Sequence, residues 1–180
     1  MKRVFYSLTG LLLSIAFVSA AYGGAIDNKT NWSAEYIRTL NRNAATDYAD
    51  IAAYNPAGTV KLHEGLTING SVQFLSKEYK NIIGGTELDS DEPSVIPTLF
   101  AVYNRNKWSI FGAVTVVAGG GKVDFSQGNW TTTQISTLYP VVTGQSLEAE
   151  SFYLGYTLGM AYEISDVFSL AAALRYVDAY

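Results

Sequence analysis

Residues 147–163 read LEAESFYLGYTLGMAYE, and the rhythm of that stretch decides the fold. Phe152, Leu154, Tyr156, Leu158, Met160 and Tyr162 occupy alternate positions, with Tyr153, Gly155, Thr157, Gly159 and Ala161 between them. A period of two puts each set on its own face of a β-strand. One face is bulky and apolar; the other is mostly small. The same rhythm runs through residues 64–76, where Leu66, Ile68, Val72 and Phe74 alternate with Thr67, Asn69, Ser71 and Gln73. Residues 95–103 read as a second strand, apolar on both faces, with Pro97 near its start. Asn104-Arg105-Asn106-Lys107 is a tight polar turn, and residues 108–118 run back from it. Ser165-Asp166-Val167 turns the chain into a fifth strand over 168–180, with Leu170, Leu174 and Tyr176 on one side.

The connections between these strands alternate: long over 77–94, short, long over 122–146, short. Transmembrane barrels share that alternation, with long loops outside, short turns in the periplasm, and strands apolar toward lipid and polar or small toward the lumen. Tyr79, Tyr103, Trp108 and Tyr162 near strand ends suit interfacial girdles. A secreted β-sandwich also alternates, but several segments match or exceed a tilted membrane span. The predicted fold class is therefore all-β: an antiparallel transmembrane β-barrel, in part, with about five strands over 63–180.

Residues 1–20 read as a signal peptide. Met1-Lys2-Arg3 is a positive head, an uncharged stretch centred on Leu11-Leu12-Leu13 follows, and Val18-Ser19-Ala20 supplies small residues for cleavage. Loss of Lys2 and Arg3 leaves 10 basic and 16 acidic residues of the original 12 and 16, a net of −6. Residues 21–62 read as short helices. Asn31 or Ser33 can cap a helix carrying Trp32, Tyr36 and Leu40; a polar break at Asn41-Arg42-Asn43 follows, then a turn opened by Thr46 and Asp47 that carries Tyr48, Ile51 and Ala52. Pro56 ends it, and Asn55 can cap the next turn. Pieces this short need a larger surface to pack on.

Composition closes other routes. The 180 residues include no Cys and one His, which leaves no thiolate metal site and little for a His relay. With 12 basic against 16 acidic residues there is no cationic surplus for a nucleic-acid backbone. No Ser-His-Asp order, nucleophile elbow or phosphate-binding glycine loop is present, so neither an enzyme nor a cofactor is expected. Glu87, Asp89, Asp91 and Glu92 lack the glycine-centred frame of a calcium hand and read as a solvated outer loop. His63 reads as structural, and Glu148 and Glu150 as exposed carboxylates.

Asn43-Ala44-Ala45, then Ala52-Ala53-Tyr54-Asn55-Pro56-Ala57-Gly58 directly before the first strand, then Phe111-Gly112-Ala113 and Phe168-Ser169-Leu170 to Leu174-Arg175-Tyr176, together resemble the FadL family of outer-membrane transporters for long-chain fatty acids and other hydrophobic compounds. The resemblance covers roughly residues 40–180. It implies an N-terminal hatch with an Asn-Pro-Ala signature, here Asn55, Pro56, Ala57 and Gly58. It implies a kinked third strand that serves as a lateral exit, here near Gly119, Gly120 and Gly121. Arg175 is a candidate lumen contact by alternation. Family members have about fourteen strands, and this chain supplies about five, so the expectation is the N-terminal portion of a longer barrel. The implied partners are a hydrophobic, fatty acid-like molecule, outer-membrane lipid and the barrel assembly machinery, and the location is the bacterial outer membrane. The other reading is a small structural or adhesive barrel without a solute path; a soluble periplasmic lipid carrier is a third.

Overall fold

The computed structural model describes residues 33–39, 41–44, 46–139, 141 and 144–179. The expected signal peptide lies outside them, as do Trp32 and Leu40 of the expected helical stripe. In chain order the elements are α1 (Ala34–Thr39), α2 (Ile51–Tyr54), a 3-10 helix (Pro56–Lys61), β1 (Gly65–Leu75), β2 (Tyr79–Ile83), β3 (Thr86–Ser90), β4 (Ser94–Arg105), β5 (Trp108–Phe125), α3 (Trp130–Leu138), β6 (Leu147–Ser165) and β7 (Phe168–Ala179). Five strands form one antiparallel sheet in the order β1-β4-β5-β6-β7. Among the described helices none is long and apolar enough to cross a membrane.

The two long connections are more ordered than their polar sequences suggest. Residues 77–94 hold the β2–β3 hairpin, which pairs Tyr79 with Ser90 and turns at Gly84 and Gly85, both with positive φ. Its short, charged strands lack the long alternating run that marks a wall strand. Of the connection expected over 122–146, residues 122–125 continue β5 and Trp130–Leu138 form α3. Asn129 caps it by accepting from the Thr132 amide (3.0 Å), while Thr132 Oγ1 accepts from the Asn129 amide (2.7 Å).

Register sorts the side chains of the five-stranded sheet into two faces. On one, β1 presents Leu66, Ile68, Val72 and Phe74, β6 Tyr156, Leu158, Met160 and Tyr162, and β7 Leu170, Leu174 and Tyr176. All are exposed. Leu66, Val72, Leu158 and Met160 are 61, 55, 67 and 56% exposed, where a sandwich would hold them dry between two sheets. At the short-turn end Tyr103, Trp108 and Tyr162 stand on adjacent strands. Tyr103 and Trp108 have ring centroids 6.2 Å apart, and Trp108 is paired with Tyr162.

The opposite face carries Asn69, Ser71 and Gln73 on β1, Thr98, Phe100, Val102 and Asn104 on β4, Ser109, Phe111 and Thr115 on β5, and Thr157, Gly159 and Ala161 on β6. The N-terminal helices pack here. Ala49, Ile51, Ala52, Val60 and Leu62 join Phe100, Val102, Phe111 and Ala161 in one core. Each fully buried Val, Leu or Ile contributes roughly 1.5–3 kcal/mol, which offsets the ordering of helices too short to hold alone. Gly159 makes room for this packing: a Cβ there would lie 2.4 Å from the Phe111 ring and 2.7 Å from Ala173.

Candidate functional site

The helical segment is held to the covered face of the sheet in two zones. The first is residues 56–62. Pro56 starts the 3-10 turn, as its fixed φ favours. The Ser169 hydroxyl on β7 donates to the Ala57 carbonyl (2.8 Å). Thr59 and Ser109, both fully buried, share a hydroxyl hydrogen bond of 2.6 Å. Asn104 Nδ2 on β4 donates to the carbonyls of Val60 (3.1 Å) and Leu62. Lys61 Nζ reaches Glu163 Oε2 (2.8 Å) and the Asp166 carbonyl (3.1 Å). Four strands are thus engaged by seven residues.

Asn55 does not cap that turn with its side chain. Its amide Nδ2 instead donates back to the Asn43 carbonyl (2.9 Å), across the polar break. Gly58 fits under Ile51, where an added Cβ would come within 2.7 Å of Ile51 Cδ1. The Asn-Pro-Ala-Gly corner therefore joins the two zones through side-chain and close backbone contacts.

The second zone is residues 33–54. Ser33 caps α1, accepting from the Tyr36 amide (3.1 Å). Its hydroxyl donates to Asp50 Oδ2 (2.7 Å) and lies 3.2 Å from Tyr54 OH. Asp50 is fully buried and takes two further bonds from Arg42, Nε to Oδ2 (3.0 Å) and Nη2 to Oδ1 (2.7 Å). Arg42, 3% exposed, also binds Asp47 (3.2 and 2.5 Å) and places its guanidinium 5.6 Å from the Tyr48 ring centroid. The Arg42 hydrogen bonds hold the Asp47 carboxyl below its ordinary range, and those from Asp50 and Asp47 raise the guanidinium further. Tyr36 and Tyr54 stack at 5.1 Å. In sequence, Arg42 reads only as part of a polar break; its carboxylate partners, five and eight residues on, lie between α1 and α2 rather than on a helix shared with it.

This second zone also bonds to β1. The Ala34 amide donates to Ser71 Oγ (3.3 Å), and Asn69 Nδ2 donates to Glu35 Oε1 (3.1 Å). Glu35 Oε2 and Asn69 Oδ1 are buried there with no hydrogen-bond partner among the described residues.

The glycine run lies inside β5 rather than at its end. Register slips between Val116 and Ala118, and again between Ala118 and Gly121, so β5 bulges twice against β6. Gly119 has φ +120°, and a Cβ there would meet the Ser151 carbonyl oxygen at 2.5 Å. Gly121 has φ +71°, and a Cβ would meet Ser94 Oγ at 2.2 Å and Lys77 Nζ at 2.6 Å. Both positions require glycine.

The β4–β5 ladder ends at Thr98–Thr115, immediately before the bulges and next to Pro97, which cannot donate to a ladder. Beyond it β5 continues against β6, while Ser94 to Pro97 of β4 remain paired with β1. β4 comes beside β5 again where Ser94 lies next to Gly121, and the Asp124 amide of β5 donates to Ser90 Oγ at the end of β3 (2.8 Å). This leaves a window in backbone pairing with a sill at Thr98–Thr115 and a lintel at Ser94–Gly121. Burial pushes the Lys77 ammonium at the lintel down, with Glu92 acting the other way.

Arg175 lies on the same face as the helical segment, and its Nε donates to Thr157 Oγ1 (2.9 Å). Its Cδ is 3.5 Å from where a Cβ of Gly155 would sit; Val117 Cγ1 lies 2.5 Å from that point. Arg175 therefore borders the bulge, apart from the Asn55–Gly58 corner. His63 is exposed, 3.5 Å from Thr67 Oγ1, and Glu148 pairs with Lys122 at 3.0 Å. Among the described residues no three His, Asp or Glu side chains converge as a metal site would. A scan against protein-family models and searches of curated proteins and of solved structures found no match to this chain.

Proposed function

We propose that the chain forms part of an outer-membrane β-barrel that passively transports long-chain fatty acids or other hydrophobic molecules. The observation that carries the reading is the sorting of one wall into two faces. The uncovered face is apolar along all five strands, while the other takes a helical segment into a mixed polar and apolar seat. In water such an apolar surface is a liability; against hydrocarbon it is the solvated side. Further strands would close the wall, because each outer strand of the sheet has ladder groups to satisfy in lipid.

In this reading the segment 21–62 is the hatch, and the window beside Gly119–Gly121 is the lateral exit. An apolar solute passes from the inner face, over the sill at Thr98–Thr115, into the hydrocarbon layer. Arg175, bordering the bulge, is placed to meet a polar head. Apolar burial supplies roughly 25 cal/mol per Å² to hold such a ligand; it gives no direction, which consumption downstream must supply. The pairing gap and double bulge favour a solute path over the structural or adhesive barrel, whose wall needs neither.

The test is uptake of radiolabelled palmitate into cells displaying the protein in the outer membrane. Expected is uptake well above that of cells lacking it, with heat-modifiable gel migration showing an assembled barrel. Assembly without any gain in uptake defeats the transport reading and leaves the structural one.

A further inference from the structure

The uncovered face changes character along the strands, and register shows where. Its row nearest the short turns runs Arg105, Trp108, Tyr162 and Leu170 across β4, β5, β6 and β7. The next row runs Tyr103, Ile110, Met160 and Ala172, and the third Ala101, Gly112, Leu158 and Leu174. Cross-strand partners share a face, so Arg105 stands at the rim of the apolar face, level with Trp108, rather than on the covered side. Tyr103 and Trp108 form the aromatic pair beside it. One row further in, the small side chain of Ala172 leaves a depression among bulky neighbours. It is an apolar groove of about 400 Å³ lined by Ile110, Leu158, Met160, Ala172 and Leu174.

Charge separates the two ends of this face. At the short-turn end Arg105 and Lys107, both exposed, flank Asn106, whose φ of +54° makes the turn tight. The carboxylate of that corner is Glu64, whose Oε1 accepts from the Asn106 amide (2.9 Å). Asp166, in the neighbouring turn, gives its carbonyl to Lys61 (3.1 Å). Around Trp108 the cations Arg105 and Lys107 therefore outnumber Glu64. At the far end of the face the balance reverses: Glu148, Glu150 and Asp178 stand there with Lys122, which pairs with Glu148 at 3.0 Å. A local positive excess beside an aromatic rim and an apolar groove complements a phosphate that carries acyl chains.

From this we propose that the short-turn end of the uncovered face holds an anionic phospholipid. Its phosphate sits at Arg105 and Lys107, its glycerol region against Trp108 and Tyr162, and one acyl chain runs along the groove past Met160 and Ala172 toward Leu158 and Leu174. The inference rests on the lipid-facing reading of the wall given above and not on transport. The Arg105 guanidinium offers forked donors that match phosphate oxygens, while its stem lies along apolar surface. Lys107 adds a second, more mobile charge. A free phosphate has no chain for the groove, and an uncharged lipid has no group for Arg105.

Trp108 reports on the site directly once Trp32→Phe/Trp130→Phe removes the other tryptophans. The whole protein, assembled in phosphatidylcholine vesicles, is titrated with phosphatidylglycerol carrying brominated acyl chains, and with brominated phosphatidylcholine for comparison. Phosphatidylglycerol should be preferred at Trp108 by at least about fivefold, and the preference should fall in high salt. Arg105→Gln/Lys107→Gln should abolish the preference, with heat-modifiable migration showing that the variant assembles. Ala172→Leu fills the groove without touching charge and should lower the preference at least about twofold. Inorganic phosphate at matched ionic strength should not displace the lipid. Equal quenching by the two lipids, a preference that survives either variant unchanged, or displacement by phosphate overturns the proposal and leaves the lipid-facing wall standing. Failure of both lipids to quench Trp108 defeats the lipid-facing reading, and the proposal with it.

Discussion

Replacing Arg42 with Met removes the donor that holds two carboxylates in the N-terminal helical segment. Asp50 is fully buried and loses two charge-assisted hydrogen bonds, keeping the Ser33 hydroxyl among the described residues. Asp47, whose side chain is 55% exposed, is rehydrated and contributes little. Breaking a buried ion pair by removing one partner costs about 3–5 kcal/mol, because the remaining charge stays desolvated. At 1.4 kcal/mol per decade, that is roughly two to three and a half orders of magnitude in the opening equilibrium of residues 33–54. Hydrogen exchange of the Ala53 and Asn55 amides, with the β6 and β7 amides as an unaffected reference, measures it directly. Arg42→Met/Asp50→Leu should recover most of the loss, since an apolar pair of similar volume replaces the ion pair without an orphaned charge. A change below about 0.5 kcal/mol in Arg42→Met, or a double variant no better than the single, refutes the assignment of this network as the internal brace.

Three further outcomes follow from the same geometry. Gly119→Val should prevent assembly, seen as loss of heat-modifiable migration, because its Cβ would enter the Ser151 carbonyl; Gly112→Ala, whose Cβ finds Thr157 O at an ordinary 3.6 Å, should assemble normally. Leu158→Arg, on the apolar uncovered face, should cost about 2–4 kcal/mol when refolding is measured in lipid vesicles if that position lies near the bilayer midplane, and close to nothing if the face meets water. The brace should be insensitive to pH from 7 down to about 5. Asp47 titrates below its ordinary value of 3.8, so its contribution is present above that value and is lost as pH falls further; amide exchange of residues 46–54 across an acid series checks the sign.

The strands were legible because their signal is local. In β6, the bulky residues from Phe152 to Tyr162 alternate with small ones, and no tertiary contact is needed to see which belong together. Helix boundaries were legible in part: Ser33 does cap α1, and the helix before Pro56 stops at Tyr54 as expected, but Asn55 does not cap the following turn with its side chain. The β2–β3 hairpin and α3 were missed because each is short and polar, without an apolar period to set it apart from a loop. Arg42 was missed for a different reason: its partners are gathered by the fold of two short helices, and the spacing alone carries no period.

By itself, the sequence determined two faces for each long strand, since side-chain direction alternates with every residue whatever the strand packs against. Only the tertiary structure decided what each face meets. Register placed Phe111 over Gly159 and Thr59 against Ser109, and it set where the β4–β5 ladder stops. Those are pairings between residues distant in the chain, chosen by which backbones can approach and which polar groups find partners. The glycines at 119 and 121 illustrate the division. Their freedom of φ is a property of the residue, but the Ser151 carbonyl and the Ser94 and Lys77 side chains that make them necessary come from other strands and loops.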